Sequence, residues 1–148
     1  MNTGDPVNHP KHYNDHPSGV ECIVIAEHMN FCIGNAFKYL YRAGIKHPEK
    51  EAEDLKKAMF YIEYELESRT DIPWRRLKNL LVDETAMTAS TGWEAAIAVI
   101  KSERRWDSTG LMREALDTLI MASQFPYSIG YLKRARKCVK QMIWLIES

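Results

Sequence analysis

An all-α fold, a compact bundle of about six to seven helices preceded by an irregular N-terminal arm, is what this 148-residue sequence predicts, on three observations. No stretch sustains the apolar–polar alternation of a strand for more than a few residues. Two long segments instead carry apolar residues at 3-4-3-4 spacing: Ala52, Leu55, Met59, Ile62 and Leu66, then Leu132, Ala135, Val139, Met142 and Ile146. That rhythm holds the side chains on one face of a helix and makes a bundle seam. Glycine, proline and capping residues recur at intervals that leave only short connections, which favours antiparallel neighbours.

Residues 1–18 are polar and broken by Pro6, Pro10 and Pro17, and they form the arm. Gly19 precedes a short helix from Val20 to Met29 with Ile23 and Ala26 inward. Phe31 to Gly34 reads as a junction, and Asn35 to Ala43 as a second short helix stopped by Gly44. Pro48 opens a long helix, about 49–68, whose first turns hold Glu49, Glu51, Glu53 and Asp54, as the positive end of a helix dipole favours. Three further helices follow over about 73–87, 92–105 and 110–124. Thr70 or Asp71 offers a cap for the first, and Thr91 with Glu94 forms a capping box for the second. Pro126 separates them from a last helix, about 127–147. A boundary near Ser68–Pro73 divides a module at 1–68 from a helical extension at 69–148 packed on it. The two seams can pair within the chain or with a second subunit in a homo-oligomer.

Twenty Lys and Arg balance twenty Asp and Glu, so overall charge argues for no partner and against bulk nucleic-acid binding. No apolar run approaches 18 residues, so no membrane span is expected, and the start lacks the pattern of a secretion signal. Cys22, Cys32 and Cys138 are an odd set without CxxC spacing, which predicts reduced, buried thiols in an intracellular protein. A Walker A loop, a Rossmann glycine fingerprint and a Gly-x-Ser-x-Gly motif are all absent from the sequence. Lys133, Arg134, Arg136, Lys137 and Lys140 read as the solvated side of a packed helix, with nucleic-acid backbone contact as the alternative. The four tryptophans read as core or interface anchors.

The chemistry concentrates in the N-terminal third, where all five histidines fall within 47 residues. Asn35, Lys38 and Arg42 stand at i, i+3 and i+7, so they project from one side of the second helix, while Ala36, Tyr39 or Leu40, and Ala43 take the other. Lys46, beyond the Gly44 break, can swing toward the same place. Three cations and an amide suit a phosphate, because Arg supplies a planar fork and Lys a mobile point charge. His12 and Tyr13 lie in the arm, which can fold back as a lid, Tyr13 on a base and His12 beside a phosphate or its attacking oxygen. His9, His12 and His16 supply at most part of a zinc donor set. Glu51 and Asp54, at i and i+3, are candidate Mg²⁺ ligands, with acidic stabilisation of a helix start as the plainer reading.

The runs Val7-Asn8-His9-Pro10-Lys11-His12-Tyr13, Gly19-Val20-Glu21-Cys22-Ile23, Gly34-Asn35-Ala36-Phe37-Lys38-Tyr39-Leu40, Arg42-Ala43-Gly44 and Asp54-Leu55-Lys56-Lys57-Ala58 resemble a small phage-encoded family of unknown function often labelled nucleotide kinase. Residues 7–66 also resemble the C-terminal part of the P-loop-less deoxynucleoside monophosphate kinase of T7-like phages. The resemblance implies a phage protein acting on deoxynucleotides in the cytoplasm of the infected bacterium. Its motif positions are His12, Tyr13, Asn35, Lys38, Arg42, Gly44, Asp54 and Lys57. The implied reaction is phosphoryl transfer from ATP with Mg²⁺. Lys38, Arg42 and Lys46 would then hold phosphates, Asp54 and Glu51 the metal, and His12 would stand beside the acceptor. Replacing Arg42 by alanine is expected to abolish turnover and leave the fold intact. Two alternatives stay open: an all-helical nucleotide pyrophosphohydrolase, and a non-catalytic accessory protein binding a nucleotide, nucleic acid or host protein.

Overall fold

In the computed structural model, residues 7–8, 16–71, 91–125 and 128–148 are described, and among them the chain is all helical. The described residues form six α-helices: α1 (Cys22–Ala26), α2 (Phe31–Arg42), α3 (Glu51–Asp71), α4 (Thr91–Ser102), α5 (Leu111–Gln124) and α6 (Gly130–Glu147). A 3-10 turn, Pro48–Lys50, leads into α3. The helix expected over about 73–87 lies outside the described residues, as do His9, His12, Tyr13, Trp74 and Pro126.

Helix α2 begins four residues earlier than its periodicity suggests, so Phe31 to Gly34 are its first turn. The cause is Asn30, whose side-chain oxygen accepts the Ile33 backbone N–H at 2.9 Å and satisfies a donor left over by helix geometry. Gly44 ends the helix at φ 77°, a left-handed conformation that residues with a Cβ adopt at a cost. The chain then folds back, Ile45 and Lys46 both donating to the Arg42 carbonyl at 2.9 and 3.1 Å.

The core is one cluster, drawn from all six helices, with Phe37, Leu40, Tyr41, Leu55, Ile62, Met112, Leu116, Leu132 and Met142 among its enclosed members. Helix α3 packs between α2 and α6, and α5 lies against both α2 and α6. Leu55, Ile62 and Leu66 are buried on α3, and Leu132, Ala135, Val139 and Met142 on α6. Both seams are therefore occupied within the chain up to Met142, whereas Ile146, expected inward at the end of the second, is exposed. The last turns of α6 leave Trp144, Leu145 and Ile146 exposed. Cys22 and Cys138 are buried and free, and burial pushes each thiol up to about 12. No helix among the described residues is long and apolar enough to cross a membrane.

Two arginines, buried Arg69 and partly buried Arg105, anchor helix ends. The Arg69 guanidinium donates to the carbonyls of Ala122, Phe125 and Ser128 at 3.1, 3.3 and 2.7 Å, closing the C-terminus of α5. Arg105 does the same for α2, donating to the carbonyls of Leu40, Tyr41 and Ala43 at 2.7, 3.0 and 2.9 Å. These are carbonyls that a helix cannot satisfy by itself.

Candidate functional site

The functional side chains are set by α2, by the turn after it, and by the first half of α3. On α2, residues three and four apart share a face. Tyr39 therefore lies beside Arg42, and the ring becomes a platform for cations. Lys38 Nζ stands 4.7 Å from the Tyr39 ring centroid, Arg42 Cζ 4.8 Å and Lys57 Nζ 5.6 Å. A cation over an aromatic face gains from the ring quadrupole, about 0.5–1 kcal/mol at exposed sites. The ring is stacked in turn on Tyr61 of α3, 6.0 Å between centroids. Of the two residues expected opposite the cations, Tyr39 or Leu40, the structure selects Leu40, which is buried with Ala36 and Ala43, and leaves Tyr39 beside the cations. The Lys38-Tyr39-x-x-Arg42 spacing carried the signal.

Lys46 joins the cluster through the Gly44 turn. Its ammonium is held below its usual range by partial burial and then by Arg42, Lys57 and Lys38, with Asp54 partly offsetting them. Lys38, Arg42, Lys46 and Lys57 thus come together from two helices and a loop, as the sequence expected for the first three and the family resemblance for Lys57. Their compensation is uneven. Arg42 pairs with Asp54 at 2.9 Å, and Lys57 with Glu53 at 3.3 Å on the exposed surface of α3. Lys38 and Lys46 have no carboxylate pair among the described residues. Like charges held this close repel one another, and a bound anion relieves that repulsion.

The Arg42–Asp54 pair changes one expectation. Asp54 is 3% exposed, and both Nε and Nη2 of Arg42 donate to its Oδ1. Truncating Arg42 would strand a buried carboxylate, so an alanine there cannot be structurally silent.

Glu51 faces elsewhere. Its Oε1 accepts the indole N–H of Trp106 at 2.8 Å, and Oε2 lies 3.4 Å from where a Cβ on Gly44 would stand. Trp106 is held in a left-handed conformation, φ 59°, a strained position for an aromatic residue that this contact helps to fix. Glu51 and Asp54 are thus committed to different protein partners. The described residues contain no group of three or more His, Cys, Asp or Glu placed to hold a metal ion. These two carboxylates do not fit a resident Mg²⁺.

Beside the cation cluster runs a groove of about 510 Å³ between α1 and α2, within the range of small-molecule pockets. Ile23, Ala26, Met29, Phe31 and Gly34 give it apolar walls, and Asn35 and Lys38 lie along it. Val7 and Asn8 of the arm also line it. Asn35 donates through Nδ2 to the Phe31 carbonyl at 2.7 Å, which orients its Oδ1.

His16 proves to be structural. It is 2% exposed, stacks on Tyr41 at 4.7 Å, and pairs through Nε2 with Glu103 at 2.7 Å. Its Nδ1 accepts the Ser18 backbone N–H at 3.1 Å. Both nitrogens are spent, so His16 completes no zinc site. Burial would raise the Glu103 carboxyl, but hydrogen bonds from His16 and Arg105 and the Arg105 charge together hold it at about 2. This His16–Glu103–Arg105 chain, which ties the arm and α4 to the end of α2, went unnoticed in the sequence because its members are far apart along the chain. Of the basic residues on α6, all five are exposed, and Arg134 pairs with Glu114 at 2.6 Å.

Residues 7–63 match a family model described as a protein of unknown function, DUF3310. The match covers nearly the span that carries the resemblance to phage proteins, and its description names no activity. No curated protein and no solved structure matches the chain.

Proposed function

We propose that this protein holds a deoxynucleotide by its phosphates on the α2–α3 cation cluster, and that its reaction is P-loop-less transfer of a phosphoryl group from ATP to a deoxynucleoside monophosphate. The carrying observation is the convergence of Lys38, Arg42 and Lys57 on one tyrosine ring, with Lys46 close by. Lys38 and Lys46, without carboxylate pairs among the described residues, are the primary phosphate ligands in this reading. Arg42, paired with Asp54, fixes the geometry of the cluster. Phosphoryl transfer asks the protein for positioning and charge neutralisation rather than a covalent nucleophile, which suits a site built from cations. ATP would enter as its Mg²⁺ complex. His12 and Tyr13, as the arm's lid, would stand at the acceptor phosphate and the base; the course of Val7 and Asn8 along the groove supports a role for the arm there. The setting in this reading is phage nucleotide metabolism in the cytoplasm of the infected bacterium. A homo-oligomer would use the exposed Trp144, Leu145 and Ile146 end of α6, since the seams are filled within the chain.

A second reading has its own support. Because Glu51 and Asp54 are tied to Trp106 and Arg42, the protein is also suited to binding a nucleotide without turning it over. Product chromatography decides between them. The protein is incubated with Mg²⁺ and each deoxynucleoside monophosphate plus ATP, and separately with each triphosphate alone. Diphosphate formed only when both substrates are present is the expected result, lost in Lys38→Ala. Monophosphate and pyrophosphate from a lone triphosphate would make it a pyrophosphohydrolase. No product from folded protein that still binds nucleotide would refute the kinase and leave the accessory role.

A further inference from the structure

We infer that the groove between α1 and α2 is the nucleoside subsite: it takes the base and sugar of the nucleotide whose phosphates rest on the cation cluster. The inference rests on the nucleotide reading above and adds where the uncharged part of the ligand goes.

Lys38 is the hinge of the argument, because it belongs to both surfaces. It lines the groove and stands 4.7 Å from the Tyr39 ring at the cluster. An anion on Lys38 therefore sits at the mouth of the groove, and anything attached to it can be laid along α2. Phe31, then Gly34 or Asn35, then Lys38 follow one another at three or four residues, a strip about 10 Å long at the helical rise of ~1.5 Å per residue.

The groove's chemistry suits a flat heteroaromatic with a polar edge. Its walls are mostly apolar, and Phe31 and Ile23 remain 74% and 61% exposed, an unusual cost for large hydrophobic side chains flanking a cleft. Gly34 keeps the floor low: a Cβ there would already meet the Ala26 carbonyl at 3.5 Å and Met29 Cβ at 3.7 Å. Asn35 gives the directional contact. Its Nδ2 donates one hydrogen to the Phe31 carbonyl, which leaves Oδ1 as an acceptor for a ring N–H or an exocyclic amino hydrogen and the second amide hydrogen as a donor. A purely anionic ligand would need none of this apolar wall, and a purely apolar one would gain nothing from Lys38. A nucleotide uses both.

Calorimetric titration of the full chain with inorganic pyrophosphate, deoxyribose 5-phosphate and each deoxynucleoside monophosphate tests the assignment. At least one monophosphate should bind about tenfold tighter than deoxyribose 5-phosphate, the equivalent of ~1.4 kcal/mol. Ile23→Trp, which fills the groove from an exposed position, should remove most of that advantage while leaving pyrophosphate affinity unchanged, and Asn35→Ala should lower the advantage too. Lys46→Ala should weaken pyrophosphate and monophosphate alike. If monophosphates keep their advantage in both groove variants, the base lies elsewhere and the inference fails while the phosphate site stands. If neither pyrophosphate nor any monophosphate binds, the nucleotide reading falls and the groove assignment with it.

Discussion

Replacing Arg105 by alanine removes five side-chain hydrogen bonds, two to Glu103 and three to the carbonyls that end α2. The Glu103 side chain has no solvent exposure and Arg105 is 17% exposed, so water cannot readily replace the lost partner. Among the described residues, His16 then remains as the only side chain bonded to the Glu103 carboxylate. Breaking a buried pair by deleting one member costs about 3–5 kcal/mol. Against a typical total of about 5–15 kcal/mol, that is a large fraction. At about 2–4 °C per kcal/mol for a chain of this size, the melting temperature should fall by roughly 6–20 °C. Urea unfolding and calorimetry would measure both. The double variant Arg105→Met with Glu103→Gln should recover part of the loss, since no unpaired charge is left behind. The end of α2 carries Arg42 and, through the Gly44 turn, Lys46, so pyrophosphate affinity should also drop in Arg105→Ala. A stability loss under about 1 kcal/mol would refute the reasoning, because it would mean that Glu103 and the α2 carbonyls find other partners cheaply.

Acid should destabilise the protein through Glu103: its folded carboxyl titrates at about 2 against an ordinary 4.5, so its contribution is present above pH 4.5 and is lost as pH falls toward 2. Glu103→Gln should flatten the unfolding free energy across that window; an unchanged slope would mean the carboxylate is not the source. Arg42→Ala should cost about 3 kcal/mol or more by stranding Asp54, and Arg42→Ala with Asp54→Asn should cost less than the single change, measured by urea midpoints. Lys38→Ala, half-buried and without a carboxylate pair among the described residues, should change stability by less than about 0.5 kcal/mol while weakening pyrophosphate binding. Gly44→Ala should lose about 1–2 kcal/mol from left-handed strain and, by pressing on Glu51, should shift the Trp106 indole N–H resonance; an unmoved resonance would separate the two.

Helical periodicity was enough to place most of the inward faces, though Ile23 of α1 and Ile146 of α6, expected inward, are 61% and 38% exposed. Leu55, Ile62 and Leu66 on α3 and Leu132, Ala135, Val139 and Met142 on α6 are buried as their spacing requires, because helical period alone sorts side chains between core and solvent. It also assembled Asn35, Lys38 and Arg42, which share one face of a single helix by the same rule. The start of α2 was misread because Asn30 caps it from outside the apolar rhythm, and a cap is a hydrogen bond rather than a periodicity. Only the tertiary structure decided which cations keep a net charge. Arg42 meets Asp54 twelve residues away, Glu51 turns to Trp106, and Lys57 reaches Tyr39 across a helix pair. The arm's His16, the buried Glu103 and Arg105 meet over 87 residues of chain. Local spacing fixes which face a side chain occupies; its partner depends on which other element is packed there, and that is set by the whole core.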